Sequence, residues 1–206
     1  MKVRWLGRIA YADALAMQER VVAGKADDPD APDELLLLEH KSVFTIGRTP
    51  DQSSLGDTAI LPAPVIATNR GGQATWHGPG QLVGYPLLDL RRRGSDLHRY
   101  LRELEGFIIG ICAGFGIAAR RREGLTGVWV GDRKVASLGV GVRRWISMHG
   151  FALNVCGPLE GFAHITPCGI AGVAMTSLER EGAEGLTVEG VAGRVADAFP
   201  GAFPED

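Results

Sequence analysis

The sequence predicts an α+β fold, a mixed α/β domain whose central mixed sheet is flanked by helices. Short apolar runs typical of buried strands recur along the first three quarters of the chain. Amphipathic segments with helical periodicity lie between and after these runs, an order that favours a mixed architecture with a substantial sheet. The 206 residues contain no internal repeat, low-complexity tract or evident linker, so we expect one domain over residues 1–206.

The first third of the chain predicts four strands and one helix. The strands correspond to compact apolar runs at residues 3–6, 35–38, 43–46 and 65–68. The helix covers residues 11–23, and its periodicity gives an inner face of Ala10, Ala14, Met17 and Val21. Proline and polar residues interrupt these patterns over residues 27–33 and 50–64, where we expect irregular loops.

The middle of the chain predicts a strand followed by a helix. A glycine-rich polar stretch precedes an apolar strand over residues 82–90. Ser95 or Asp96 is suited to cap a helix that ends near Gly116. The inner face of that helix comprises Leu97, Leu101, Leu104, Ile108, Ile111 and Phe115, with Cys112 as a further core residue.

The last third predicts a hairpin, a long strand and a final helix. A two-residue turn at residues 131–132 joins strands over residues 128–130 and 134–142. A further strand over residues 146–155 follows, interrupted by Gly150, and residues 157–172 form a loop. Thr187 can cap a helix whose inner face comprises Val188, Val191, Val195 and Phe199.

Composition and charge narrow the class of protein without naming a function. The formal net charge is −2 and 45% of the residues are hydrophobic, so nothing requires a nucleic-acid or membrane-surface partner. The three cysteines are odd in number and widely spaced, which argues against a disulfide framework and favours a reducing compartment. The N-terminus lacks the apolar core of a signal peptide, and no apolar run is long enough to span a bilayer. We therefore expect a cytoplasmic protein without a nucleic-acid or membrane partner.

The first candidate segment, residues 70–81, combines glycines with several functional side chains. Gly71 and Gly72 allow backbone N–H groups to approach a ligand, Trp76 offers an apolar wall, and His77 titrates near neutrality. Neither nucleotide-binding glycine fingerprint is present in this segment. The alternative is a glycine-rich hairpin that carries an ordinary surface histidine.

The second segment, residues 131–139, places Lys134 at the start of a small apolar strand. A lysine whose ammonium points inward is partly desolvated, and burial disfavours the charged form, which is how a lysine becomes a base. The alternative is a lysine in a turn that is exposed to water.

The third segment, residues 165–172, holds Cys168 between a proline and a glycine. Neither neighbour suits a helix interior, so we expect the thiol on a turn. Cysteine is the most credible covalent catalyst here, but an unassisted thiol is mostly protonated at neutral pH and needs a neighbouring base or cation. The alternative is an inert loop cysteine. His149 is better interpreted as a structural residue, although it can also line a pocket.

In this order the segments resemble the lipoyl/octanoyl transferases, which are octanoyl-[acyl-carrier-protein]:protein N-octanoyltransferases. The matching stretches are Arg-Gly-Gly-x-x-Thr-Tyr/Trp-His-Gly-Pro-Gly-Gln at residues 70–81, Lys-x-Ala-Ser-Leu-Gly at 134–139, His-Gly-x-Ala-Leu-Asn at 149–154 and Pro-Cys-Gly at 167–169. Tyr85 and Pro86 follow the first stretch, and Thr176 and Ser177 follow the last. Four such stretches in the family's order are very specific, whereas any one of them alone would not be.

The resemblance implies a role for each matching residue. Cys168 matches the acyl-thioester nucleophile, and Lys134 matches the lysine that activates the thiol. Trp76 stands where the family more often has Tyr. The implied fold is similar to the catalytic domains of biotin protein ligases and lipoate ligases. The acyl pocket would be lined by Arg70, Gly71, Gly72, Gln73, Ala74, Thr75, Trp76, His77, Ser137, Leu138, Gly139, Gly150, Phe151 and Ala152.

The implied reaction moves an octanoyl group from octanoyl-acyl carrier protein, through a Cys168 thioester, to a lysine of a lipoyl domain or of the glycine-cleavage H protein. No cofactor or metal is expected, because the thioester already carries the activation. Backbone N–H groups near Gly71, Gly72 and Gly169 would stabilise the oxyanion. Arginine clusters at residues 91–93, 120–122 and 143–144 fit docking of acidic partners, or are merely solvated.

Two rival functions remain open at this point. An ATP-dependent lipoate or biotin-type protein ligase shares the fold, but it activates a free acid as an adenylate and needs no nucleophilic cysteine. A non-catalytic acyl-binding or lipoyl-domain-binding protein would bind octanoate without becoming acylated. For the transferase, Lys134 acts either as a base or as an electrostatic stabiliser of the thiolate.

Overall fold

A computed structural model describes residues 1–28 and 30–205. The loop predicted over residues 27–33 includes Pro29, which lies outside the described residues. The elements follow the order β1 (Lys2–Ile9), α1 (Tyr11–Asp27), β2 (Glu34–His40), β3 (Val43–Ile46), β4 (Val65–Ala67), β5 (Thr75–His77), β6 (Gln81–Leu87), α2 (Leu97–Ala113), β7 (Arg120–Arg122), β8 (Leu125–Val130), β9 (Arg133–Arg143), β10 (Ile146–Asn154), β11 (Ala174–Met175) and α3 (Val188–Ala202).

Two sheets organise the fold. The main sheet has the order β1-β2-β6-β10-β9-β8-β7, and β11 adds to β9 off this path. Its β1–β2 and β9–β11 pairs are parallel and the others are antiparallel, so the sheet is mixed, as predicted. A second sheet of three strands, β4-β3-β5, was not predicted. Its strand β5 lies in the glycine-rich segment, which sequence periodicity left without an element.

Helices cover both faces of the main sheet. On β2, Leu35 and Leu37 pack in the core cluster that holds α2 and α3, whereas Leu36 and Leu38 pack in the cluster that holds α1. Successive strand residues point to opposite faces, so a strand buried on both faces needs an unbroken apolar run. The unbroken apolar run at residues 35–38 was therefore a reliable indication of a strand. None of the helices in the two described ranges is long and apolar enough to cross a membrane.

The predicted inner face of α1 was right at Ala14, whereas Ala10, Met17 and Val21 are only half-buried. The buried residues of α1 are Tyr11, Ala14, Gln18, Val22 and Lys25. Gln18 is buried because its side-chain oxygen accepts a hydrogen bond from the backbone N–H of His149 at 2.7 Å. Lys25 is buried because its ammonium lies 2.8 Å from a carboxylate oxygen of Asp33. An apolar periodicity cannot detect polar residues that are buried through such pairs.

The helix caps agree with the sequence. Asp96 accepts a hydrogen bond from the N–H of Arg99 and caps α2, which ends at Ala113, a little before the predicted end. Thr187 accepts from the N–H of Gly190 and caps α3. The predicted inner face of α3 is confirmed, and Cys112 is buried on α2 as predicted. Helix α2 also buries Tyr100 and Glu105 and leaves Leu97 and Leu101 half-buried, and Phe115, which follows the helix, is half-buried too. Gly150 does not interrupt β10.

Candidate active site

Cys168 and Lys134, which are far apart in the sequence, are in direct contact. Cys168 lies in a short turn over Pro167–Gly169, and Lys134 is near the start of β9. The Lys134 Nζ donates a hydrogen bond to the Cys168 Sγ at 3.1 Å. Lys134 is only 1% exposed, and its Nζ also lies 5.4 Å from the centroid of the Trp129 ring. The arrangement therefore places a desolvated amine against a thiol, the geometry that thiol activation requires.

The backbone around Cys168 is held in an unusual conformation. Cys168 has φ 56° and ψ 19°, in the left-handed region, which costs an L residue about 1–2 kcal/mol. Its N–H donates to the carbonyl oxygen of Ala74 at 2.8 Å, and the N–H of Gly169 donates to that of Thr166 at 2.9 Å. These bonds compensate the strain and fix the direction in which the thiol points. Strained residues of this kind concentrate at functional sites.

A β-bulge turns Lys134 toward the thiol. Across from β8, the register of β9 shifts by one residue between Lys134 and Ala136, so that Val135 has no partner. Lys134 and Ser137 are three positions apart and would face opposite sides of a regular strand. In the structure both reach Cys168, since the Ser137 Oγ lies 3.8 Å from the Sγ. Bulges re-aim side chains in this way and are common beside active sites.

A cavity of about 230 Å³ extends from Cys168 between β5 and the strands β6, β9 and β10. Ligand cavities for drug-sized molecules measure about 300–1,000 Å³, so this one suits a smaller ligand. The structure brings together at its wall many of the residues predicted to bind substrate, namely Arg70, Gly72, Gln73, Thr75, His77, Ser137, Leu138, Gly139, Gly150, Phe151 and Ala152.

Three residues predicted for the pocket do not line the cavity. Trp76 points to the opposite face of β5, where its ring meets Phe162 and its Nε1 donates to the Ser42 Oγ at 2.9 Å. Ala74 is fully buried and contributes through the carbonyl oxygen that holds the Cys168 N–H. Gly71 lies behind Arg70 and donates its N–H to a carbonyl of β9. Alternation along β5, which places Thr75 and His77 on one face, excludes Trp76 from that face.

Several cavity residues were not singled out from the sequence. They are Tyr11, Val83, Tyr85, Gly124, Leu125, Thr126 and Ile170. Tyr85 was the one with a usable signal, since it follows the first matching stretch at a fixed distance. Tyr11 begins α1 and reaches the cavity only through the packing of α1 on β10. His149, interpreted as structural with a pocket role open, is both buried and part of the wall.

Comparison with known families identifies the family of this chain. Residues 10–200 match the family model described as the lipoyl protein ligase A/B catalytic domain. The chain belongs to this family. Within the lipoyl protein ligase A/B family, a relative from Geobacter sulfurreducens named "Octanoyltransferase" is 50% identical over 210 residues, covering 100% of this chain and 86% of the relative.

Solved structures place the fold in the same group. The putative lipoate protein ligase Ta0514 from T. acidophilum superposes with a TM-score of 0.75 at 12% identity, covering 100% of this chain and 85% of that one. A biotin protein ligase from Aquifex aeolicus superposes with a TM-score of 0.56 at 14% identity, covering 98% and 69%. These similarities confirm the predicted fold, which the lipoyl protein ligase A/B domain shares with biotin protein ligases.

Several titratable side chains in and behind the cavity wall favour their neutral forms. Burial lowers the pKa of His149 to about 4 and that of His77 to about 3, and it raises the pKa of Tyr11 to about 12. The Tyr11 hydroxyl lies 3.4 Å from the His149 Nδ1. Behind these residues, the His40 Nε2 lies 2.7 Å from the Tyr85 hydroxyl. These shifts favour the neutral form of each of these groups near pH 7.

Arg70 brings a buried cation to the side of the cavity. Its guanidinium donates to the carbonyl oxygen of Thr45 at 2.9 Å, to the hydroxyl of Thr45 at 2.8 Å and to the carbonyl of Gly71 at 2.9 Å. Burial lowers the pKa of Arg70, an effect partly offset by Tyr11 and then by Cys168. No ion pair joins Arg70 to a carboxylate of residues 1–28 or 30–205. A buried cation without a counter-charge is suited to stabilise negative charge that forms in the cavity.

The predicted oxyanion donors need revision. The N–H of Gly71 donates to the carbonyl of Val140 at 2.9 Å, and the N–H of Gly169 is used within its own turn. Gly72 lines the cavity, and within the described part of the chain no acceptor takes its N–H. Of the three predicted donors, Gly72 is therefore the one that remains suited to an oxyanion.

The arginine clusters differ in how many of their side chains form ion pairs with carboxylates of the protein. Arg91 pairs with Asp89, Arg93 with buried Asp33, and Arg121 with buried Glu105. The turn between β9 and β10 presents residues 143–144 at the surface. Among the described residues, no cluster of three or more His, Cys, Asp or Glu side chains is arranged to hold a metal ion.

Proposed function

We propose that this chain is an octanoyltransferase that works through a thioester on Cys168, activated by Lys134. The contact of 3.1 Å between the Lys134 Nζ and the Cys168 Sγ, which lies in the cavity wall, is the observation that carries this proposal. The octanoyltransferase relative, half of whose aligned residues are identical, supports the choice of acyl group. In this proposal a single catalytic domain spans residues 1–206 and carries out both half-reactions.

The first half-reaction moves the acyl group onto the enzyme. Lys134 takes the thiol proton, and the Cys168 thiolate attacks the carbonyl carbon of the octanoyl thioester. The carbonyl oxygen becomes an oxyanion, which the N–H of Gly72 and the charge of Arg70 are placed to stabilise. The oxyanion then collapses, the bond to the carrier sulfur breaks, and the Lys134 ammonium returns a proton to the leaving thiolate.

The second half-reaction moves the acyl group onto the acceptor. A neutral lysine amine of the partner attacks the octanoyl-Cys168 carbonyl, and Lys134 takes the proton that the new amide nitrogen loses. The C–S bond breaks and the Cys168 thiolate is regenerated. The donor thioester is higher in free energy than the amide, so the transfer requires neither ATP nor a metal.

The partners assigned here are those that the resemblance to the octanoyltransferases implies. The donor is octanoyl-acyl carrier protein, and the acceptors are lipoyl domains and the glycine-cleavage H protein. We assign the reaction to the cytoplasm, as the odd number and wide spacing of the three cysteines suggest a reducing compartment. We assign two surfaces to acidic partners, namely the exposed residues 143–144 and the arginine-rich strand β7.

An activity test separates this function from its two rivals. Purified enzyme is incubated with a lipoyl domain and either octanoyl carrier without ATP, or free octanoate with ATP. The transferase modifies the lipoyl domain only in the first mixture, and Cys168→Ala abolishes the reaction. Modification in the second mixture that survives Cys168→Ala supports an ATP-dependent ligase. No modification in either mixture, with octanoate binding retained, supports a non-catalytic acyl-binding protein.

A further inference from the structure

Glu105 is a fully buried carboxylate on the otherwise apolar inner face of α2. Its Oε2 accepts hydrogen bonds from the Arg102 Nη1 at 2.7 Å and from the Arg121 Nε at 3.2 Å. Its Oε1 accepts from the backbone N–H of Gly127, on β8, at 2.9 Å. A buried carboxylate is tolerated only where hydrogen bonds and cations satisfy it, so a residue that merely filled space at this position would be apolar.

Gly127, the residue that Glu105 holds, lies directly against the Lys134 side chain. A Cβ atom added at Gly127 would lie 2.4 Å from the Lys134 Cε and 3.1 Å from the Nζ. Gly127 also has φ 135°, a conformation that favours glycine. The aliphatic part of Lys134 therefore crosses the bare Cα of Gly127 on its way to Cys168.

We propose that Glu105 is a positioning residue for Lys134. Its carboxylate fixes the N–H of Gly127, Gly127 forms the surface on which the Lys134 side chain rests, and that surface determines where the Nζ meets the Sγ. The same bond holds the first half of β8, whose Leu125 and Thr126 line the cavity together with Gly124, the residue before the strand. This inference rests on the proposed function, because it assigns to Glu105 an effect on thiol activation.

A purely structural role makes a different prediction for the same residue. Glu105→Leu removes one partner of a buried ion pair and leaves the Gly127 N–H without its acceptor, so it lowers stability whatever the role of Glu105. If Glu105 contributed only to packing, Glu105→Leu would leave the reactivity of Cys168 unchanged. If Glu105 positions Lys134 through Gly127, Glu105→Leu frees the Gly127 N–H and displaces the amine from the thiol. The reactivity of the thiol is therefore a readout that packing alone does not move.

The experiment measures the rate of Cys168 alkylation by iodoacetamide from pH 5.5 to 9.5 in the full-length enzyme, on a background in which Cys112 and Cys156 are replaced by Ser. Thermal unfolding of each variant verifies the fold. Glu105→Leu should lower the rate at pH 7 by about tenfold and move the rise in rate to higher pH, because an unassisted thiol is only a few per cent thiolate at neutral pH. Arg102→Ala, which removes a half-exposed partner and keeps the Gly127 bond, should stay within twofold of the parent.

A folded Glu105→Leu variant with the parental alkylation profile would overturn the inference. If that variant does not fold, Glu105→Asp decides, because it keeps the charge and withdraws the carboxylate from Gly127 by one methylene; a parental profile there would equally overturn it. Lys134→Ala separates this inference from the proposed function. If Lys134→Ala is alkylated slowly while Glu105→Leu keeps the parental rate, only the role of Glu105 is refuted. If Lys134→Ala itself keeps the parental rate, the activation of Cys168 by Lys134 is refuted.

Discussion

Acidification from pH 7 to pH 5 should destabilise the fold through buried histidines. Burial lowers the pKa of His40 and His149 to about 4 and, with the charge of His40 as a second cause, that of His77 to about 3. In the unfolded chain a histidine has a pKa of about 6.5. The unfolded state therefore binds more protons than the folded state between pH 4 and pH 6.5, and stability is lost as the pH falls through that window.

The size of the effect follows from linkage for one residue, His40. With a pKa of about 4 in the folded state and about 6.5 in the unfolded state, the free energy of unfolding falls by about 2 kcal/mol between pH 7 and pH 5. His40 is fully buried, so solvent screening does not reduce this figure greatly. A loss of this size is a large share of the about 5–15 kcal/mol that stabilises a typical domain.

Urea unfolding at pH 7 and pH 5 measures the effect in the parent, in His40→Gln and in the control His98→Gln. His40→Gln removes the titrating group, so its loss of stability on acidification should be smaller than the parental loss by about 2 kcal/mol. His98 is exposed, and the control should show the parental loss. Equal losses in the parent and in His40→Gln would refute the reasoning.

Three further changes address catalysis and recognition. Lys134→Ala should slow alkylation of Cys168 about tenfold near pH 7, and a parental rate would remove the activation. Ala152→Leu narrows the cavity and should lower kcat/KM for an octanoyl donor by about 10–200-fold while sparing a butanoyl donor; equal losses for both would contradict the assigned acyl path. Arg143→Glu with Arg144→Glu should raise the carrier KM and flatten its salt dependence, and unchanged kinetics at low salt would discard that docking surface.

Local patterns in the sequence were sufficient for much of the fold. The runs that form β2 and β3, the caps at Asp96 and Thr187 and the hairpin of β8 and β9 all depend on neighbouring residues. The small sheet was missed because β5 has three residues and lies among glycines, so its period-2 pattern is too short to detect. The inner face of α1 was predicted only in part, because Gln18 and Lys25 are buried through long-range polar partners that an apolar pattern does not register.

In the candidate site, too, local motifs identified residues, whereas their arrangement depends on contacts between distant parts of the chain. Cys168 and Lys134 were assigned from matching stretches, but their contact depends on the bulge at Val135 and on the left-handed backbone of Cys168, neither of which is encoded by a local motif. Tyr11 enters the cavity from the first helix, a contact between distant parts of the chain. Trp76 was assigned to the pocket by composition, and the alternation of β5, invisible until the strand is known, turns it away.

The most direct measurement is the intact mass of the enzyme after brief incubation with octanoyl carrier protein and no acceptor. The account predicts a gain of one octanoyl group, mapped by peptide analysis to Cys168, removed by hydroxylamine and transferred when a lipoyl domain is added. Cys168→Ala should gain nothing. Two results would contradict the thioester route. One is modification of the lipoyl domain by an enzyme that never carries an acyl group on Cys168, and the other is undiminished modification by the Cys168→Ala variant.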